Sequence, residues 1–166
     1  MTLAYIGLGS NLSDPKAQIH LAIEQIKTIP NTHCIKISSL YYSRPMGPQD
    51  QPDYMNAVMA VETQLPALVL LDHLQAIENK AGRVRKENRW GARILDLDIL
   101  LFGDKTINNE RLTVPHYGMK VREFVIIPLA EIAETLVMPD GTSISTLAKN
   151  IATNDLKIHS QLDSIR

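Results

Sequence analysis

Three observations predict an α+β fold: a ferredoxin-like, mixed but mainly antiparallel sheet packed with helices in a single domain. Apolar residues switch along the chain between the two-residue period of a strand and the 3.6-residue period of a helix. The elements follow one another as βαββαβ and then two more helices, the order of a split βαβ sheet with additions. The chain has 166 residues, a length for which one domain over 1–166 suffices, since domains commonly run about 100–200 residues. No internal repeat, low-complexity tract or linker divides it.

The elements read as follows. "LAYIGL" (3–8) is a strand. "GSNLSDP" turns into a helix, with Asp14 as N-cap and Pro15 at the first helical position. Ile19, Ile23, Ile26 and Ile29 recur at helical spacing. Residues 33–42 alternate loosely and read as one second strand. "SRPMGPQDQP" (43–52) packs three prolines and a glycine into ten residues and reads as a stiffened polar loop. "YMNAVMAVET" (54–63) is a third strand. Pro66 opens a second helix with Leu70 or Leu71, Leu74 and Ile77 as its apolar stripe, and Gly82 caps its end. The basic stretch "RVRKENRW" leads into a strand over 94–102. "GDK" (103–105) turns into a short strand pair. "VREFVIIPLAEIA" and "SISTLAKNIA" read as two short helices separated by the turn "PDG".

Composition narrows the function classes. Hydrophobic residues are 45% and charged residues 21%, ordinary for a globular protein. Lys+Arg is 17 against Asp+Glu 18, so no global charge calls for a nucleic-acid or membrane partner. No apolar run approaches the roughly 18 residues of a transmembrane helix. "MTLAYIGLGSN" has no basic start and reads as a first strand, not a signal peptide. Cys34 is the single cysteine, which excludes an internal disulfide and any CxxC metal site. It reads as a small packing residue, and the expected compartment is the cytoplasm.

The chemistry concentrates in "RWGARILDLDILLF" (89–102). The run from Ile94 to Phe102 is apolar enough to be buried, yet it carries Asp96 and Asp98. Burying an uncompensated carboxylate costs several kcal/mol. In a strand, residues i and i+2 share a face roughly 6–7 Å apart. Asp96 and Asp98 therefore project together, with Leu95, Leu97 and Ile99 on the opposite face. Such a pair suits a hard divalent cation. The competing reading is a wet strand edge where each aspartate pairs with an arginine; the apolar setting favours the metal.

Arg83, Arg85, Lys86, Arg89 and Arg93 lie just before the acid pair. Carboxylates that hold a metal, beside arginines that neutralise phosphate oxygens, are what a metal-bridged polyphosphate requires. Alone, the same arginines would read as a solvated basic loop. A second cluster, "RLTVPHYGMKVREF" (111–124), offers Arg111, Thr113, His116, Tyr117, Lys120 and Arg122. Any one of these is ordinary in a loop; their concentration is the signal. There is no GxxxxGK[ST], no HExxH and no Ser/His/Asp arrangement that spacing assigns, and "GLGSNL" lacks the third glycine of a dinucleotide fingerprint.

Two other classes stay open on the residues alone. A ferredoxin-like sheet with a basic loop is also the frame of a single-stranded RNA-binding module. That frame displays aromatics on its central strands, where this chain has mainly aliphatics, and has no use for Asp96 and Asp98. A Mg²⁺-dependent nucleotidyl transferase shares the acid pair but releases pyrophosphate.

"RWGARILDLDIL", together with "GLGSNL", "GPQDQPDYMN", "GRVRKENRWG" and "LTVPHY" in that order, closely resembles the 6-hydroxymethyl-7,8-dihydropterin pyrophosphokinase family of folate biosynthesis. The resemblance covers about residues 3–141. It implies transfer of pyrophosphate from ATP to the hydroxymethyl group of the pterin, with release of AMP. It implies a cytoplasmic monomer whose partners are ATP and the pterin, with no nucleic acid and no membrane. By resemblance, Asp96 and Asp98 bridge two Mg²⁺ ions on the ATP phosphates. Arg83, Arg93, His116, Tyr117 and Arg122 face the triphosphate or the developing charge, with Arg83 and Arg93 catalytic. Leu71, Gln75, Glu78, Arg85, Trp90, Ile99, Arg111 and Thr113 belong to the ATP site. The pterin lies between Tyr54 and Phe124, with Asn56 at its edge and Ser43, Pro45, Met46 and Trp90 completing the pocket. Residues 43–49 and 83–90 are implied to be mobile loops that close over the substrates.

Overall fold

The computed structural model describes residues 1–11, 14–43, 54–81, 95–154 and 156–160. The chain begins with β1 (Thr2–Ser10), longer at both ends than its apolar run. In α1 (Pro15–Ile26), Asp14 is the N-cap and accepts from the Ala17 N–H at 3.3 Å, and Pro15 sits in the first turn. Ile19, Ile23 and Ile26 are buried from the helix; Ile29 is buried from the turn after it.

The single strand expected over 33–42 is two, β2 (Thr32–Ile37) and β3 (Leu40–Ser43). The break at Ser38–Ser39 is held by groups distant in sequence. The Ser38 N–H donates to the Val58 carbonyl at 2.9 Å, and Ser38 Oγ accepts from the Val58 N–H at 2.9 Å. The Glu131 carboxylate accepts from the Ser39 N–H at 3.0 Å, the Ser39 hydroxyl at 2.8 Å and the Tyr41 hydroxyl at 2.7 Å. These bonds replace ladder bonds, so the chain kinks without orphaning polar groups. Glu131→Ala should therefore cost about 1–3 kcal/mol. Urea unfolding measures this, and an unchanged midpoint would show that the kink does not depend on the carboxylate.

β4 (Tyr54–Thr63) spans the predicted run. α2 (Ala67–Lys80) follows Pro66 and buries Leu70, Leu71, Leu74 and Ile77. The helix ends with Ala81 as its C-cap, and Gly82, expected to cap it, lies outside the described residues. β5 (Leu95–Phe102) leads through a turn at Gly103 to the short pair β6 (Ile107–Asn108) and β7 (Thr113–Val114). A 3₁₀ turn (Met119–Val121), α3 (Glu123–Ile132) and α4 (Ile144–Asn150) follow. The last strand, β8 (Lys157–Ser160), was not expected. It pairs with β3, placing Ile158 opposite Tyr41, and its residues are mostly exposed, so no apolar alternation announces it.

The main sheet runs β5-β1-β4-β3-β8, with β2 also paired to β4, and every ladder among the described residues is antiparallel. Helices α1 and α2 cover one face. Ile19, Ile23, Ile26, Leu70, Leu74 and Ile77 pack there on Ile6, Leu8, Met59, Val61, Leu97 and Ile99. On the other face, Val125, Ile126 and Leu129 of α3 and Ile144 of α4 pack on Tyr5, Val58, Ala60 and Leu101. The register of β1 and β5 shifts between Tyr5 and Ile6, leaving Leu100 as an extra residue in β5. The bulge is why Leu100 and Leu101 both join the second core, while Leu97 and Ile99 belong to the first. Among the described residues, no helix is long and apolar enough to cross a membrane.

Candidate active site

The second face of the sheet also carries the acid pair. Asp96 lies across from Gly9 and Asp98 across from Gly7; on the far side of β1, Gly9 faces Asn56 and Gly7 faces Val58. The aspartates are half-buried while Leu95, Leu97 and Ile99 are fully buried, as the two-residue period requires. Two glycines in β1 leave the floor between the acids and β4 without side chains. Asn56 is 4% exposed, and its amide nitrogen donates to Ser43 Oγ at 3.0 Å. Tyr54, two residues earlier, shares that face. Burial, and then the nearby charge of Asp96, push the Tyr54 hydroxyl's pKa up.

The segment after β7 forms the opposite wall. The His116 N–H donates to the Leu100 carbonyl at 3.0 Å, tying the segment to the bulge in β5. His116 Nδ1 accepts from the Gly118 N–H at 3.2 Å, so the neutral ring carries its proton on Nε2. That nitrogen faces Asp98 Oδ2 at 4.0 Å. Burial lowers the His116 pKa and Arg122 adds to this, while Asp98 and Asp96 oppose it. Tyr117 stacks on His116 with centroids 4.8 Å apart. The Arg122 guanidinium carbon lies 5.7 Å from the Tyr117 ring centre and 5.9 Å from that of Phe124.

A third region lies beyond the outer edge of β5. Arg111 donates to Asp72 Oδ1 at 2.6 Å and Gln75 Oε1 at 3.1 Å, both on α2. Thr113 is exposed on β7, whereas Leu71 and Ile99 have their side chains in the first core. Glu78 is 8% exposed, and its Oε2 accepts from the Leu97 N–H at 2.8 Å. Thus Ser43, Tyr54, Asn56, Asp96, Asp98, His116, Tyr117, Arg122 and Phe124 belong to one region, with Gln75, Arg111 and Thr113 at its flank. Pro45, Met46, Arg83, Arg85, Trp90 and Arg93, and both loops expected to close, lie outside the described residues.

The sequence reading passed over three residues here. Gly7 and Gly9 enter the sequence reading only as part of an incomplete dinucleotide fingerprint; two glycines at i and i+2 in a strand are the available signal. Asp72 gives no local signal, because its partner Arg111 is distant in sequence.

The described residues hold no cluster of three or more His, Cys, Asp or Glu side chains suited to a metal. Two carboxylates fall short of a closed protein site. They do fit a hard cation that completes its shell with water and substrate phosphate oxygens, as Mg²⁺ does.

An acid pair on a strand, with a histidine near it and aromatic rings, an arginine and a buried amide in the same region, marks a candidate enzyme active site. Residues 5–134 match the family described as 7,8-dihydro-6-hydroxymethylpterin-pyrophosphokinase (HPPK). The chain is 56% identical to the 2-amino-4-hydroxy-6-hydroxymethyldihydropteridine pyrophosphokinase of Haemophilus influenzae, over 94% of this chain and 97% of that one. It is 50% identical to the protein of the same name from Pseudomonas aeruginosa, over 86% and 88%. The chain belongs to the 7,8-dihydro-6-hydroxymethylpterin-pyrophosphokinase family, and it is a pyrophosphate-transferring enzyme of folate biosynthesis.

Solved structures agree on the fold. A Plasmodium falciparum HPPK-DHPS wild type with pteroate matches with a TM-score of 0.70 at 15% identity, covering 90% of this chain and 42% of that one. An HPPK-DHPS in complex with substrates matches with a TM-score of 0.66 at 12% identity, covering 90% and 45%. This chain therefore spans less than half the length of those two.

Proposed function

We propose that this enzyme transfers the β,γ-pyrophosphoryl unit of ATP to the hydroxymethyl oxygen of 6-hydroxymethyl-7,8-dihydropterin and releases AMP. The observation that carries the reading is the row Asp96–Gly9–Asn56, in which one strand register sets a phosphate-side acid pair beside a pterin-side amide. Asp96 and Asp98 would hold two Mg²⁺ ions, which would supply neutralisation of the phosphate charge as it develops. Gln75, Arg111 and Thr113 face the nucleoside, with Leu71, Glu78, Ile99, Arg85 and Trp90 assigned to the same site. His116, through Nε2–H, and Arg122 and Tyr117 face the phosphates, where Arg83 and Arg93 complete the cationic side. Tyr54 and Phe124 stack on the pterin, and Asn56, with Ser43, Pro45, Met46 and Trp90, reads its edge.

In the reaction the hydroxymethyl oxygen attacks the β-phosphorus. The bond from that phosphorus to the α,β-bridging oxygen breaks, AMP leaves with that oxygen, and the hydroxyl proton passes to water. Catalysis rests on holding the two substrates in line, with no strong base required. Support for a cytoplasmic site of action is the single cysteine, Cys34. We take the chain to be one domain acting as a monomer.

Separating the nucleotides after a single turnover with ATP, Mg²⁺ and the pterin tests the reading. AMP is expected as the first nucleotide product. ADP would make the enzyme an ordinary kinase, and free pyrophosphate with an adenylylated pterin would make it a nucleotidyl transferase.

A further inference from the structure

The two glycines of β1 at the site floor are not equivalent. Neither has a left-handed backbone, so neither is explained by conformation. A side chain at Gly7 would meet Leu100, whose Cδ2 lies 3.3 Å from where a Cβ would stand. Leu100 is the bulged residue of β5 and is 1% exposed. The space over Gly7 is therefore filled by the core. Over Gly9 it is not. Among the described residues, a Cβ there would meet Asn56 Oδ1 at 3.2 Å and otherwise only the Met55 carbonyl oxygen at 4.0 Å. Both glycines are partly exposed between buried neighbours, so what separates them is the atom each would meet: an apolar side chain at Gly7 and an amide oxygen at Gly9.

Asn56 gives that gap a chemistry. Its amide nitrogen is committed to Ser43 Oγ at 3.0 Å, so its oxygen is the end turned toward Gly9. The oxygen is an acceptor on a side chain that is 4% exposed. The relatives' substrate, a 2-amino-4-hydroxy pteridine, carries N–H donors along one edge. From these placements we propose that Gly9 is a specificity-determining residue. Its missing side chain keeps Asn56 Oδ1 open to the N–H edge of the flat acceptor substrate, and a single methyl there would crowd that oxygen while having no atom of Asp96 within 4 Å. The inference rests on the pterin reading of the site.

Gly9→Ala and Gly7→Ala in the full chain give opposite signatures. Binding of 6-hydroxymethylpterin, followed by its fluorescence, should weaken about tenfold or more in Gly9→Ala, because a buried acceptor built for a substrate N–H is then obstructed. Binding of α,β-methylene-ATP should stay at the wild-type value, and any fall in melting temperature should be no larger than in Gly7→Ala. Gly7→Ala should lower the melting temperature by crowding Leu100 and leave pterin binding unchanged. In an Asn56→Ala background, Gly9→Ala should add no further loss, since the oxygen it obstructs is gone. Wild-type pterin affinity in Gly9→Ala, a full additional loss in the double variant, or loss of the fold in Gly9→Ala would each overturn the proposal. Failure of the wild-type protein to bind the pterin at all would instead overturn the functional reading beneath it.

Discussion

Asp96→Ala and Asp98→Ala are each expected to abolish turnover while leaving the protein folded. Both carboxylates are half-buried on the site face of β5, and neither belongs to the core packed by Leu95, Leu97 and Ile99. Because their side chains lie outside that core, each variant should still melt cooperatively without metal. On the proposed reading, what is lost is a ligand for the Mg²⁺ that would neutralise the transferred phosphates. Several kcal/mol of transition-state stabilisation corresponds to ~10³-fold or more in rate. Steady-state kinetics beside a thermal melt separate the two effects. Near-normal turnover in either variant would remove the metal assignment, and a collapsed melt would make the aspartate structural.

Glu78→Ala is expected to reduce both stability and turnover. The carboxylate is buried and receives the N–H of Leu97, the residue between the two aspartates. On its other side β5 is paired with β1, where Gly9 and Gly7 stand opposite Asp96 and Asp98. Taking away the acceptor leaves a buried N–H without this bond, at a cost of about 1–3 kcal/mol. For a chain of this size that lowers the melting temperature by roughly 2–4 °C per kcal/mol. Because a displacement of about 1 Å can cost ~10²-fold in a positioned reaction, kcat should fall well beyond what partial unfolding explains. Glu78→Gln keeps an acceptor oxygen and should restore most of both. Equal damage from Gln and Ala would mean that the charge of Glu78, not its bond to Leu97, is what the site needs.

Much of the frame could be read locally. Asp14 and Pro15 start α1 as their side chains dictate, because a cap and a fixed φ act within one turn. The acids of β5 share a face because a strand alternates strictly. The parity of "ILLF" could not be read, since the bulge at Leu100 depends on how β5 meets β1. At the break between β2 and β3 the Ser39 N–H bonds to Glu131, more than ninety residues further along the chain. β8 is hidden for a different reason: an exposed edge strand gains its order from ladder bonds to β3, and those leave no apolar pattern.

The sequence by itself determined the places of β1, α1, β4, α2 and β5, the paired carboxylates and, through five ordered motifs, the family. Those are properties of single elements and of local residue order. Only the tertiary structure decided which glycine is a gap and which is filled, which end of Asn56 is turned toward Gly9, which nitrogen of His116 faces Asp98, and that Glu78 holds the strand between the acids. Each depends on the register between strands or on a bond from a distant element, and both are settled by packing the whole sheet against its two helical layers.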